Sequence, residues 1–173
     1  SDVCSSDLSS PFSFFSSIIL RSNLSDFEDR KVTCKKVLSL LLSVTNGLLR
    51  SDGNGYKAII APAGGFRNMH APPEPMIWPD GNTRTLYNTN MSGADVFNFT
   101  ISDVPQAIND FLKHTSTQVK DYDCFVFHQA NKFIHKQISR KLKIPMEKMP
   151  LCLDRFGNTS APAIPLALCD AYG

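Results

Sequence analysis

The sequence predicts an α/β fold of layered helices and sheet, and the C-terminal half of the chain carries the observations behind this prediction. Residues 122–127 form a short aromatic and apolar run, which is typical of a strand buried on both faces. An amphipathic stretch follows over residues 131–142, and residues 149–153 form a second short apolar run. The pattern of residues 163–172 predicts a further helix. Strand, helix, strand and helix in this order favour a sheet with right-handed crossover connections.

Composition and charge are those of an ordinary globular domain. The chain has 173 residues, of which 42% are apolar and 20% charged, so it can form a core and does not fall in the disordered class. Its net charge of +2 gives no basis for nucleic-acid binding, and no apolar stretch reaches roughly 18 residues, the length that spans a bilayer. The five cysteines form no CxxC pair, and their odd number favours reduced thiols in the cytoplasm.

The N-terminal part of the chain gives few structural signals. Residues 1–8 (SDVCSSDL) match the translation of a common sequencing adapter, so we expect them to be foreign to the fold. Residues 9–47 stay unassigned. The leucine-rich stretch at residues 37–49 is compatible with either a buried helix or a strand.

Local signals become clearer from residue 48 onward. Asp-Gly and Asn-Gly pairs at residues 52–55 predict turns, and residues 56–61 (YKAIIA) predict a strand after them. Residues 62–79 are rich in Pro and Gly, which predicts a long surface loop. A loop of that length commonly carries contacts to a substrate.

A helix is predicted after residue 103. Asp103 as N-cap and Gln106 three residues later form a capping-box pattern, and apolar residues follow at helical spacing. A second interpretation begins the helix near Gly93, because apolar residues roughly extend the same stripe back to that position.

Two polar residues stand just past the apolar runs of the C-terminal half. His128 follows residues 122–127, and Asn158 follows residues 149–153 inside a turn that contains Gly157. In layered α/β proteins, functional groups collect past the carboxyl ends of strands. An imidazole N–H and an amide N–H can both donate to one carbonyl oxygen and stabilise an oxyanion or an enolate. From spacing alone, a structural His and an Asn bonded to its local backbone are the commoner alternative.

Two longer strings resemble the ketoacyl-acyl-carrier-protein synthase III family of decarboxylating condensing enzymes. They are FVFHQAN at residues 125–131 and LDRFGNTSAPAIPLAL at residues 153–168. The segments RSDGNGY, APAGGFR and MSGADVFNFTI precede them in the family's order, so the resemblance covers residues 48–173. It implies a thiolase-like fold, in which two similar α/β halves stack into five αβαβα layers. This chain would then be the second half, truncated at both ends.

The resemblance also implies a reaction. In this family a Cys of the first half accepts an acyl group from a CoA thioester. A malonyl thioester on acyl carrier protein then loses CO2, and the carbanion attacks the acyl-Cys. The motifs assign to His128 and Asn158 the holding of the malonyl carbonyl as it becomes an enolate. The implied partners are acyl carrier protein and acyl-CoA and malonyl thioester substrates, in a cytoplasmic homodimer that serves fatty-acid or related biosynthesis without a cofactor.

The cysteines depart from the family's pattern. None of the five lies in the small-residue motif of the family's nucleophile, so we expect the nucleophile to lie outside this sequence. Cys124, Cys152 and Cys169 are more simply explained as buried structural thiols. We therefore expect that the chain does not condense by itself.

The helix after HQAN carries basic residues on one face at helical spacing: Lys132, Lys136, Arg140 and Lys143. In the family this region docks the acidic carrier protein, and a basic face would steer such a partner. We therefore predict carrier-protein docking at Lys132 and Lys136, with a solvated helix face as the alternative.

Two other functions remain open at this point. One is a Cys–His–Asn hydrolase that uses an internal Cys, and the other is a non-catalytic module that only binds the carrier protein. A metal-dependent function is not expected, because His70, His114 and His135 lack metal-ligand spacing and are predicted to lie at the surface.

Overall fold

A computed structural model of the chain describes residues 17–20 and 46–172, which fall into two compact units. One unit contains residues 51–97. The other contains strand β1 (Ser17–Leu20) and the chain from residue 98 onward. The predictions for residues 1–8 and for most of 9–47 lie outside the described residues.

The unit of residues 51–97 consists of short elements. They are a 3-10 helix at Gly53–Ala58 and the strands β2 (Ile59–Ile60), β3 (Met76–Ile77), β4 (Thr83–Arg84) and β5 (Asn90–Met91). Strand β2 pairs antiparallel with β5, and β3 pairs antiparallel with β4.

The sequence prediction for this unit is only partly right. The predicted strand at residues 56–61 shrinks to β2, because Asp52 caps the 3-10 helix before it by accepting a hydrogen bond from the Asn54 N–H at 2.9 Å. The predicted loop at residues 62–79 is interrupted by strand β3, which the sequence does not predict. Its middle is fixed by the Tyr87 hydroxyl, which accepts from the Ala71 N–H at 2.8 Å and donates to the Ala71 carbonyl at 3.0 Å.

Helix α1 spans Gly93–His114, so the interpretation that begins at Gly93 is correct and the capping box at Asp103 is wrong. The helix passes through Asp103 and contains Pro105 in its interior. Since Pro105 has no N–H, it cannot bond the carbonyl of Ile101 one turn earlier. The Lys141 ammonium donates to that carbonyl instead, at 2.7 Å.

The remaining elements belong to the other unit. They are strand β6 (Cys124–Phe127), helix α2 (Lys132–Leu142), the short helix α3 (Leu153–Phe156) and helix α4 (Ala163–Tyr172). Strand β6 is fully buried and pairs antiparallel with β1. Its buried side chains and α4 share one core cluster, made of Cys124, Val126, Cys152, Ile164, Ala167 and Leu168. The mixed α/β class is confirmed.

The predicted strand at residues 149–153 is wrong. Residues 149–152 belong to no helix or strand, and α3 starts at Leu153. The side chain of Gln129 takes the place of a neighbouring strand there, because its amide donates to the Pro150 carbonyl at 3.2 Å and accepts from the Cys152 N–H at 3.2 Å. Pro150 itself has no N–H for a sheet ladder.

Candidate active site

His128 comes directly after β6, as the sequence predicts. The residue is only 7% exposed, and its carbonyl accepts a hydrogen bond from the Ala130 N–H at 3.0 Å, which turns the chain sharply after the strand. Asn131 then caps α2 by accepting from the Ile134 N–H at 2.8 Å. The imidazole is thus held between a buried strand and a capped helix, and both neighbours restrict its motion.

Asn158 lies in the loop between α3 and α4. Gly157 and Ser160 both have positive φ, 63° and 58°, which bends this loop tightly. The side-chain oxygen of Asn158 accepts a hydrogen bond from the Ser160 N–H at 3.0 Å. Because a backbone N–H can only donate, this bond fixes which amide atom is the oxygen. The Asn158 NH2 group therefore faces away from this bond and can donate elsewhere.

Ser160 is the link between the two predicted site residues. It donates its N–H to Asn158, and its carbonyl accepts a hydrogen bond from the imidazole of His128. The structure therefore brings His128 and the loop of Asn158 together. A positive φ at a non-glycine residue such as Ser160 is uncommon and is found preferentially at functional sites.

Burial keeps the imidazole of His128 uncharged at neutral pH. Desolvation of the imidazolium lowers the pKa of His128 below its ordinary value, and the hydrogen bond with the Ser160 backbone offsets this only in part. A neutral imidazole still carries one N–H donor. That N–H bonds the Ser160 carbonyl, so His128 donates to a ligand oxygen only when its N–H turns from this carbonyl to the ligand, whereas the Asn158 amide N–H already points away from Ser160.

His135 is not a surface residue, so that prediction is wrong. It is fully buried, and its Nδ1 lies 3.0 Å from the carbonyl oxygen of Asn131, which can only accept. Burial lowers the pKa of His135, and His128 nearby lowers it further. His70 and His114 are exposed, as predicted. The sequence around His135 gives no sign of this burial, because one partner of its imidazole is the side chain of Gln129, which lies outside the helix.

Gln129 is the second residue of this site that carries no predicted role. It is fully buried, and its amide contacts the carbonyl oxygens of Phe127 and Pro150, the Nε2 atom of His135 and the N–H of Cys152. The available signal was its place directly after a buried strand and His128, because a Gln that is buried there must have hydrogen-bond partners.

Lys132, Lys136 and Arg140 are exposed on α2, and Lys143 is exposed just after the helix, with a left-handed backbone conformation. Three of the four predicted basic residues therefore lie on the exposed part of this helix. The acidic partner that it is expected to bind remains a prediction.

The three cysteines of the described residues form no disulfide with one another. Cys124 and Cys152 are buried and Cys169 is half-buried. Burial raises the pKa of Cys152, which disfavours the thiolate form that a nucleophile needs. Within residues 17–20 and 46–172, no cluster of three potential metal ligands occurs, and no helix is long and apolar enough to cross a membrane.

Comparison with known proteins gives a consistent result. Residues 112–173 match the family model described as 3-oxoacyl-[acyl-carrier-protein (ACP)] synthase III C terminal. A beta-ketoacyl-[acyl-carrier-protein] synthase III of Lactobacillus helveticus is 42% identical over 78 residues, which are 45% of this chain and 24% of the relative. The protein of that name from Caldanaerobacter subterraneus is 33% identical over 129 residues, which are 75% of this chain and 37% of the relative.

Solved structures agree with this result. A crystal structure of a 3-oxoacyl-(acyl-carrier-protein) synthase III superposes with a TM-score of 0.64 at 33% identity, over 72% of this chain and 40% of the other. The 3-oxoacyl-(acyl-carrier protein) synthase of Burkholderia xenovorans LB400 gives 0.57 at 30% identity, over 72% and 36%. The predicted thiolase-like fold class is thereby confirmed, and the chain spans between 24% and 37% of the length of the two curated relatives above.

Proposed function

Because the chain belongs to the 3-oxoacyl-[acyl-carrier-protein] synthase III family, we propose that it carries the malonyl-activating part of a decarboxylating condensation in fatty-acid or related biosynthesis. The product of the complete reaction is a 3-oxoacyl thioester. The observation that carries this proposal is the Ser160 link, which joins a neutral imidazole and an oriented amide donor in one site.

The two donors act on the carbonyl oxygen of a malonyl thioester. When the bond between the malonyl carbon and its carboxylate breaks, CO2 leaves and the electron pair forms an enolate. Charge then develops on the oxygen to which Asn158 and His128 donate, and the imidazole N–H moves from the Ser160 carbonyl to this oxygen. Donors held in place before the reaction stabilise this charge more than that of the starting carbonyl, which lowers the barrier. The enolate carbon then attacks an acyl thioester, from which a Cys thiolate departs.

The acyl-accepting thiolate is not among the described cysteines in this proposal. Cys124 and Cys152 are buried in the core cluster, and the raised pKa of Cys152 argues against a hydrolase that uses it. We therefore expect the 173-residue chain to form no 3-oxoacyl product from acyl-CoA and malonyl carrier protein. Product formation by the chain alone would contradict this expectation.

The basic face of α2 is the proposed docking surface for acyl carrier protein, centred on Lys132 and Lys136. Both side chains are exposed on the helix that Asn131 caps, shortly after His128 in the chain. Exposed lysines attract an acidic partner and raise its association rate. The homodimeric assembly and the cytoplasmic location expected from sequence belong to the same proposal.

Release of CO2 from malonyl carrier protein tests the two proposed donors in a step that needs no Cys nucleophile. We expect slow release by the unchanged chain and about a 100-fold loss of rate in His128→Ala or Asn158→Ala, the usual cost of removing one such donor. His114→Ala and Asn109→Ala remove the same residue types from exposed positions on α1 and serve as matched controls. Equal release by all four variants, or none by the unchanged chain, would overturn the proposed function.

A further inference from the structure

Gln129 bonds to two separate segments of the site. On one side its Nε2 donates to the Phe127 carbonyl at 3.0 Å, at the end of β6. On the other side Nε2 donates to the Pro150 carbonyl at 3.2 Å, and Oε1 accepts from the Cys152 N–H at 3.2 Å. The side chain is fully buried, so water does not replace these bonds.

A fourth contact holds the Gln129 amide from α2. Nε2 of Gln129 lies 3.4 Å from Nε2 of His135. Because Nδ1 of His135 faces the Asn131 carbonyl and must donate to it, Nε2 of the neutral ring is the acceptor. The two hydrogens of the Gln129 amide are thus shared among three acceptors, which fixes the amide in one orientation.

These bonds close a ring of contacts around the candidate site. Cys152, held by Gln129, accepts the first hydrogen bonds of α3 at its carbonyl, from the Arg155 N–H at 3.2 Å and the Phe156 N–H at 3.0 Å. Helix α3 leads through Gly157 to Asn158. Asn158 bonds Ser160, Ser160 bonds His128, and His128 is the covalent neighbour of Gln129.

We propose that Gln129 is the positioning residue that aims His128 and Asn158 at a common oxygen. This proposal deepens the proposed function and rests on it. Two donors stabilise one oxygen only when both stand about 3 Å from it, so a small displacement of one loop removes much of the effect. The strand end and the α3 segment form no backbone ladder with each other here, and Gln129 supplies the bonds that fix their distance.

Two substitutions test the proposal in the full chain. Gln129→Met keeps the length of the side chain and removes all of its hydrogen bonds, whereas Gln129→Glu keeps an acceptor for Cys152 and loses the donors. Ser139→Ala is the matched control, because it removes a hydrogen bond of 2.7 Å to the Ile144 carbonyl at the far end of α2.

The first readout is the NMR chemical shift of the Asn158 side-chain amide and of the Ser160 backbone N–H. The second is the affinity for a sulfoacetyl thioester, a malonyl mimic that cannot lose CO2. We expect both Gln129 variants to shift both resonances and to weaken binding about tenfold, while Ser139→Ala changes neither.

The outcomes separate the two proposals. If His128→Ala and Asn158→Ala bind the mimic as tightly as the unchanged chain, the proposed function fails, and the resonance shifts still decide the role of Gln129. If those two variants weaken binding but the Gln129 variants change neither readout, only the positioning role is overturned. Loss of folding in both Gln129 variants, with Ser139→Ala folded, would also overturn it in favour of a purely structural role.

Discussion

At the scale of single residues, burial favours the role that we propose for His128. The residue is 7% exposed, and desolvation holds the pKa of His128 below the usual value. A charged imidazolium would bind the malonyl carboxylate and so stabilise the substrate before reaction. A neutral N–H instead gains most from the charge that appears on the enolate oxygen, which is the difference that accelerates a reaction.

The lowered pKa values of His128 and His135 predict how stability depends on pH. Both groups bind a proton more readily in the unfolded chain, so their contribution is complete above the ordinary value of 6.5 and is lost as pH falls below it toward the lowered pKa values. We expect the free energy of unfolding in urea to decrease between about pH 7.5 and about pH 5.5, a range above carboxylate titration. A constant or increasing free energy over this range would contradict the burial of these neutral rings.

Thr159, next to Asn158, has a buried hydroxyl that makes no hydrogen bond within the described residues. A buried hydroxyl without a partner is destabilising, so Thr159→Val should raise the free energy of unfolding by about 1 kcal/mol. Thr117→Val is the control, because the Thr117 hydroxyl bonds the Tyr122 hydroxyl at 3.0 Å and its loss should destabilise. Destabilisation by both substitutions would mean that the Thr159 hydroxyl has a partner.

The sequence predicts His128 and Asn158 as site residues but not the residues that hold them in place. The two predicted residues lie in short, specific strings, HQAN and GNTS, which can be recognised without a structure. Gln129 and His135 are satisfied by atoms of distant segments, and such partners leave no trace in local spacing. A buried polar residue of this kind is therefore predicted as exposed.

At the scale of elements, the interior proline of α1 depends on a neighbouring helix. Lys141 of α2 donates to the Ile101 carbonyl, which Pro105 leaves without its helical partner. We expect Lys141→Met to lower the free energy of unfolding by about 0.5 to 1 kcal/mol, since the contact is exposed. Lys136→Met, an exposed substitution on the same helix, should change the free energy of unfolding by less. Equal effects in a urea titration would show that the carbonyl contact contributes nothing.

The basic face of α2 gives a second prediction at this scale. Reversing charge at Lys132 and Lys136 together should weaken binding of acyl carrier protein about tenfold at low salt, because exposed ion pairs are individually weak. The double substitution Lys113→Glu and Lys120→Glu, on exposed residues outside α2, changes the net charge by the same amount and is the control. Unchanged affinity in a carrier-protein titration would remove the docking proposal.

Elements with a strong apolar pattern are predicted well, and those fixed by single side chains are not. Strand β6, helix α2 and helix α4 match their predictions because their own periodicity determines which face is buried. The capping box at Asp103 fails because the longer apolar stripe of α1 outweighs one local cap. The predicted strand at residues 149–153 fails because Gln129, not a strand, satisfies its backbone.

At the scale of the whole molecule, the α/β class and the similarity to synthase III proteins follow from the sequence, whereas the division into two compact units does not. Periodicity reports which face of an element is buried but not which elements share a core. The short strands β2 to β5 also pair over only two residues each, too few for an alternating pattern. The chain spans a minor part of the length of its relatives, so its own chemistry is the part that can be tested directly.

The central claim is that His128 and Asn158 donate to one thioester carbonyl. The most direct measurement follows the imidazole and side-chain amide N–H resonances of the labelled chain while a sulfoacetyl thioester carrying a 13C carbonyl is added. We expect both resonances and the carbonyl signal to shift with one common saturation curve, and Asn158→Ala to reduce the carbonyl shift while His114→Ala leaves it unchanged. A carbonyl shift that persists in both His128→Ala and Asn158→Ala, or binding that moves neither donor, would contradict the claim.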